Sequence, residues 1–160
     1  MKPSYHALKS VHYSSASSRP TFKSAEDVYR EIGYDSVELV RQNPQYRDTC
    51  AVRMSLALLK TGVNITGRLR IKAGQFKGRS VEPGAKRLAD ELRKPHLFGA
   101  PEVFLGREQA LKRIGSRKGV ILFHGLGGGS GGHVDLYEPV EVCNSSCHFL
   151  AREIWFWPLN

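Results

Sequence analysis

The sequence predicts an α+β fold in which a buried helix, headed by a cysteine, packs on an antiparallel sheet. Three observations carry this reading. Helical signals come first along the chain and strand signals last, an order that separates helices from sheet rather than interleaving them. The helix that opens at Cys50 is apolar almost all round, through Ala51, Val52, Met54, Leu56, Ala57, Leu58 and Leu59, as expected of a helix buried centrally. The last part of the chain alternates with a period of two, so that Val134 and Leu136 oppose His133, Asp135 and Tyr137.

Residues 1–23 are polar and rich in Ser, Tyr and Pro, and read as an extended N-terminal arm with one short helix over 5–11. Ser24 caps the next helix, with Glu26 and Asp27 in its first turn. Gly33 interrupts that helical stretch, and Asn43-Pro44 ends it. The Cys50 helix follows, with Asp48 or Thr49 as N-cap and Gly62 just past its C-terminus. Residues 63–84 read as irregular, with short strand character near 69–71. An amphipathic helix over 85–94 places Leu88, Ala89 and Leu92 on one face and stops at Pro95, and a second helix over 107–114 ends at Gly115. Strands are expected over 120–123, 133–137, 140–143 and 154–157.

The chain has 160 residues, enough for one domain, 1–160, with a real core. It contains no apolar run long enough to cross a bilayer. The first nine residues lack the apolar core of a secretory signal. The protein is therefore expected either to stay in the cytosol or to leave by a route that reads no signal peptide. A net charge of +9 favours polyanionic surroundings. The basic residues are scattered and form no nucleic-acid motif, so nucleic acid is not the expected partner; a basic nucleic-acid-binding protein with structural cysteines is the alternative reading.

The chemistry centres on Cys50 and His133. A helix N-terminus carries partial positive charge and backbone N–H groups, and both favour a thiolate over a thiol. A histidine from another element can serve such a cysteine as base and then as acid, which is the logic of a papain-like hydrolase. His133 is preceded by glycines and followed by a strand, and His124 is the runner-up. A site of this kind orients its imidazole with a third side chain. Asn144 is the favoured candidate, with Ser145 and Asp135 as alternatives; Asp135 ranks lower because neighbours two apart on a strand are poorly placed to grip one another's rings. The backbone N–H of Cys50 is the expected oxyanion donor. Cys143 and Cys147 form a close pair apart from the lone Cys50, which suggests one disulfide and one working thiol, with zinc on Cys143, Cys147 and His148, joined by His133, as the rival. The glycine-rich stretch 125–132 lacks the Gly-Lys-Ser/Thr of a phosphate loop and reads as a flexible connection beside the cleft.

Thr49-Cys50-Ala51-Val52-Arg53-Met54-Ser55 resembles the cysteine motif of the type VI secretion amidase effectors, fourth family. The same resemblance extends to the opening Lys2-Pro3-Ser4-Tyr5, to Gly132-His133-Val134-Asp135-Leu136-Tyr137, to the Cys143/Cys147 pair and to the Trp-rich C-terminal strand. Residues 64–110 match only loosely. The resemblance implies an NlpC-type papain-like fold and a cofactor-free peptidoglycan amidase that cuts the γ-D-glutamyl–meso-diaminopimelate bond of stem peptides. It also implies delivery by type VI secretion machinery into the periplasm of a rival Gram-negative cell, and a cognate immunity protein in the producer. No membrane insertion is expected. The family has an Asp between the two late cysteines as its third catalytic residue. Here that stretch is Asn144-Ser145-Ser146, with Ser145 matching the family Asp by position.

Overall fold

The computed structural model describes residues 1–126, 131–139, 142–143 and 150–160. The chain begins with four helices, α1 (Tyr5–Val11), α2 (Ala25–Glu31), α3 (Ser36–Gln42) and α4 (Cys50–Lys60), with a 3-10 turn over Pro44–Arg47 leading into α4. A small strand pair, β1 (Leu69–Arg70) and β2 (Ser80–Val81), precedes α5 (Ala85–Leu92). The remainder is β3 (Glu102–Phe104), α6 (Arg107–Ile114), β4 (Lys118–Leu126), β5 (Gly131–Glu138), β6 (Val142–Cys143) and β7 (Glu153–Leu159). The last five strands form one sheet in the order β3-β7-β4-β5-β6, antiparallel throughout. The α+β expectation holds.

Local chemistry explains most element ends. The Ser24 hydroxyl accepts the Asp27 N–H at 3.1 Å, satisfying one of the amides a helix start leaves open. Gly62 and Gly115 close α4 and α6 at φ of 85° and 60°, a backbone region that side-chain-bearing residues rarely enter. Two elements go beyond the sequence reading: β3, a three-residue strand on β7, and β2, the partner of β1. Both are too short to show a period of their own.

The period-two alternation divides the sheet residues between two apolar clusters. Val120, Leu122, Val134, Leu136, Trp155 and Trp157 join the main core with α4, whereas Ile121, Phe123, Tyr137, Ile154 and Phe156 join a second cluster with Ala110 and Ile114 of α6. Helix α4 lies at the centre, and every residue from Ala51 to Leu59 is buried.

The N-terminal segment is docked on this core. Tyr5 and Leu8 are buried in the main cluster, and the Tyr5 N–H donates to the Asn160 carbonyl at 2.6 Å. Farther along, the Ser14 N–H bonds the Thr21 carbonyl and the Lys23 N–H returns to the Ser14 carbonyl, closing a loop. Tyr13 donates to Glu31 of α2 at 2.6 Å and accepts from Lys60 of α4 at 2.6 Å. Lys9 pairs with Glu138 at the end of β5.

Candidate active site

Cys50 is the first residue of α4 and is half-buried. Thr49 takes the N-cap position without capping through its side chain; its hydroxyl instead accepts the Arg53 Nε–H at 2.7 Å. Asp48 stands in its place, its Oδ1 accepting the Cys50 backbone N–H at 3.1 Å. The expected oxyanion donor is therefore already engaged by a carboxylate. Across from α4 lies β5, whose Val134 backbone N–H favours a thiolate at Cys50. Among the described residues β6 pairs with Tyr137 and Glu138 of β5.

The helix terminus favours a thiolate, yet the Cys50 thiol is pushed up, not down. Burial is the main cause, and the carboxylate of Asp48 adds to it through its charge and a hydrogen bond, with Asp135 contributing more negative charge. The Val134 N–H works the other way. A helix-end effect falls off within a turn and is smaller than the combined cost of partial burial and two nearby carboxylates. The surroundings thus favour the thiol over the thiolate.

His133 lies one residue before Val134 on β5. Its Nε2 is 3.1 Å from Asp135 Oδ2, and the other oxygen of Asp135 accepts the Leu136 N–H at 2.8 Å. The structure thus differs from the sequence expectation that a neighbour two along a strand is poorly placed for this contact. Same-side Cα atoms on a strand lie about 6.6 Å apart, a gap that an imidazole and a carboxylate leaning toward each other can bridge. Behind the ring, Phe123 stacks at an interplanar angle of 8° with centroids 6.4 Å apart, which limits its rotation. His124, the other candidate base, pairs across the sheet with Gly132 and Glu153.

Asp135 is 1% exposed and Arg53, one turn beyond Cys50, is 3% exposed. The Arg53 guanidinium donates to the carbonyls of Ser14 at 3.0 Å and Lys23 at 2.6 Å, so it ties the N-terminal loop to the head of α4. Its charge acts on Tyr29, Cys50 and Asp135. His12, the C-cap of α1, is buried in the same neighbourhood. Nothing in the local sequence around His12 or Asp135 signals this cluster, which is assembled from α1, α4 and β5.

A groove of about 410 Å³ runs beside the site, lined by Asp48, Arg68, Lys86, Arg87, Gly131 and Gly132 among others. At Gly132 a Cβ would sit 3.3 Å from the Phe123 carbonyl and 3.6 Å from Ala85. Arg68 is held in a two-pronged ion pair with Glu82, and Lys86 pairs with Asp90.

Asn144, Ser145, Cys147, His148, the Cys143 side chain and residues 127–130 lie outside the described residues. The disulfide, the zinc alternative and the favoured orienting residue all fall there. Among the described residues no helix is long and apolar enough to cross a membrane, and no three His, Cys, Asp or Glu side chains are grouped to hold a metal.

Residues 46–157 match the family described as type VI secretion system amidase effector protein 4, Tae4. The chain belongs to this family. As a Tae4 member it is a hydrolase of the amidase class. Its fold is that of solved Tae4 structures. Tae4 from Enterobacter cloacae superposes with a TM-score of 0.70 at 23% identity, covering 100% of this chain and 98% of that one. Tae4 from Salmonella typhimurium, solved in complex with the immunity protein Tai4 of Enterobacter cloacae, gives 0.67 at 24% identity, covering 99% and 100%. The Enterobacter cloacae Tae4–Tai4 complex gives 0.69 at 21% identity, covering all of both chains. No curated protein matches the chain. The superposition includes the N-terminal segment, which precedes the residues matched by the family.

Proposed function

We propose that this chain is a peptidoglycan amidase toxin that uses Cys50 as nucleophile and His133 as acid and base to cut the γ-D-glutamyl–meso-diaminopimelate bond. The observation that carries the reading is Cys50 at the head of an α4 that packs on β5, the strand on which Asp135 Oδ2 lies 3.1 Å from His133 Nε2. Tae4 membership supplies the amidase class.

With Nε2 engaged by Asp135, Nδ1 is the ring nitrogen assigned to proton exchange with the sulfur. His133 takes the thiol proton as Sγ attacks the amide carbonyl, forming the S–C bond and an oxyanion. The Cys50 N–H receives that oxyanion once the Asp48 carboxylate swings aside. The imidazolium passes its proton to the departing diaminopimelate amine as the C–N bond breaks, leaving a thioester. Water, losing a proton to neutral His133, then releases the acid and restores the thiol.

Asp135 fills the orienting role in this reading, since its oxygen is at hydrogen-bond distance from the ring and Asn144 is its rival. The groove beside the site would take the stem peptide, with Arg87 and Lys86 facing its carboxylates. By extension from the Tae4–Tai4 complexes, the producer would carry an immunity protein, and the toxin would act in the periplasm of a recipient cell after type VI delivery.

Digestion of purified Gram-negative sacculi, read by mass spectrometry, tests the proposal. Fragments ending at D-glutamate, made by the wild type and not by Cys50→Ala, are expected. Cleavage by both proteins, or by neither under reducing and oxidising conditions, overturns it.

A further inference from the structure

Arg68 immediately precedes β1 and lines the groove together with Asp48 and Gly132. Its guanidinium is gripped along one side: Glu82 Oε1 accepts the Nε–H at 3.0 Å and Oε2 accepts an Nη2–H at 2.9 Å. The Glu82 side chain is 5% exposed and that of Arg68 is 53% exposed, so the pair is open from the arginine end. Glu82 is itself fixed. The Ser55 hydroxyl on α4 accepts its backbone N–H at 3.1 Å, and its Oε2 accepts the Gly84 N–H at 2.5 Å. Gly67 lets the backbone before Arg68 lie this close, since a Cβ there would fall 2.3 Å from the Val81 carbonyl. Cys50 and Ser55 share α4, so the path from α4 through Ser55 and Glu82 sets the guanidinium at a fixed position relative to the nucleophile's helix.

We propose that Arg68 is a specificity-determining residue, which binds a free carboxylate of the stem peptide beside the scissile amide. The inference rests on the amidase reading above. A guanidinium carries five N–H donors in a planar fork. Glu82 takes Nε and one hydrogen of Nη2, which leaves both hydrogens of Nη1 and the second of Nη2. The end of the fork, one hydrogen from each Nη, matches the two oxygens of a carboxylate. The substrate offers such groups on both sides of the bond. A γ linkage leaves the D-glutamyl α-carboxylate free, and diaminopimelate keeps a free carboxylate on its far centre. Anchoring separates Arg68 from the other cations of the groove. Lys86 is drawn to Asp90 at 2.8 Å, and Arg87 has no ion pair among the described residues. Those two attract any anion. A guanidinium already held in place loses little freedom on binding, and it rejects an amide, which turns an N–H donor toward the fork.

The test is kcat/KM on three synthetic peptides, with full-length wild type, Arg68→Gln and the double variant Arg68→Gln/Glu82→Gln. The parent peptide is L-Ala-γ-D-Glu-meso-diaminopimelate-D-Ala. The other two carry an amide in place of the D-glutamyl α-carboxylate or of the far diaminopimelate carboxylate. Melting temperatures are measured alongside. Wild type should cleave at least one amidated peptide about 10- to 100-fold less efficiently than the parent, the range for a hydrogen bond to a charged group. The peptide that suffers identifies the carboxylate. In Arg68→Gln that ratio should collapse to about one, because the rate on the parent alone falls. A merely structural Arg68 would lower all three rates together and keep the wild-type ratios, and that result overturns the proposal. If Arg68→Gln fails to fold, the double variant, which leaves no buried carboxylate unpaired, is read in the same way. A wild type that cleaves all three peptides alike overturns the role of Arg68 and leaves the amidase reading standing. A wild type that cleaves none of them overturns the amidase reading, and this inference with it.

Discussion

Two aspartates flank the same thiol, and they do opposite things. Asp48 is exposed, lies on the groove side, and takes the Cys50 amide proposed to hold the oxyanion. Asp135 is 1% exposed, lies at the back, and takes the His133 ring nitrogen. The side-chain chemistry is identical. What differs is freedom: the Asp135 carboxylate is buried and pinned by the Leu136 N–H, so it can hold an imidazole in one orientation. Asp48 faces water, so its bond to the Cys50 amide is one that substrate can replace. A carboxylate becomes an orienting group when its surroundings immobilise it, and a removable plug when they do not.

The comparison can be broken most completely at the sulfur. Cys50→Ala should lower sacculus cleavage more than ~10⁴-fold, since the covalent route is gone; residual turnover near the wild-type level would remove both aspartates from the argument. At the back wall, Asp135→Asn keeps the shape and loses the charge, and kcat is expected to fall about 10²- to 10⁴-fold with little change in KM. Asn144→Ala should cost much less. A larger loss for Asn144→Ala would move the orienting role to the loop. At the front, Asp48→Asn should act in the opposite sense. Burial remains, but a charge and a hydrogen bond that push the thiol up are weakened, so alkylation at pH 7 should rise roughly threefold or more. A slower reaction would mean that Asp48 assists the thiol instead of restraining it.

The smallest effect is on stability. His12 ionises at an ordinary pKa of 6.5 when unfolded and at about 4 when buried in the fold. The unfolded chain thus binds the extra proton first, and the stability tied to neutral His12 is complete above pH 6.5 and lost as pH falls toward 4. The loss amounts to about 3 kcal/mol at most. Urea unfolding of the wild type at pH 7 and pH 4.5 should show a larger drop than the same pair for His12→Gln. Equal drops would show that the histidine is not what titrates.

Cys50 and His133 were legible because each sits at a local landmark, one at the start of an apolar helix and the other between glycines and an alternating strand. The span of α6 was legible for the same reason, ending on a glycine that adopts φ 60°. The N-terminal helix was legible, but its docking was not. Tyr5 and Leu8 carry no mark of which surface will bury them, and that surface is made by α4 and the end of β7.

The sequence by itself determined the order of helices and strands, the division of sheet residues between two faces, and the nucleophile and base of the proposed reaction. These depend on caps, periodicity and residue type, which act over a few positions. Only the tertiary structure decided that Asp135 reaches His133, that Asp48 occupies the Cys50 amide, that burial pushes the thiol up, and that Arg53 ties the N-terminal loop to the head of α4. Those outcomes depend on burial and on charges brought together from α1, α4 and β5. Desolvation and Coulomb interaction are set by distance in space, which the spacing of residues along the chain does not encode.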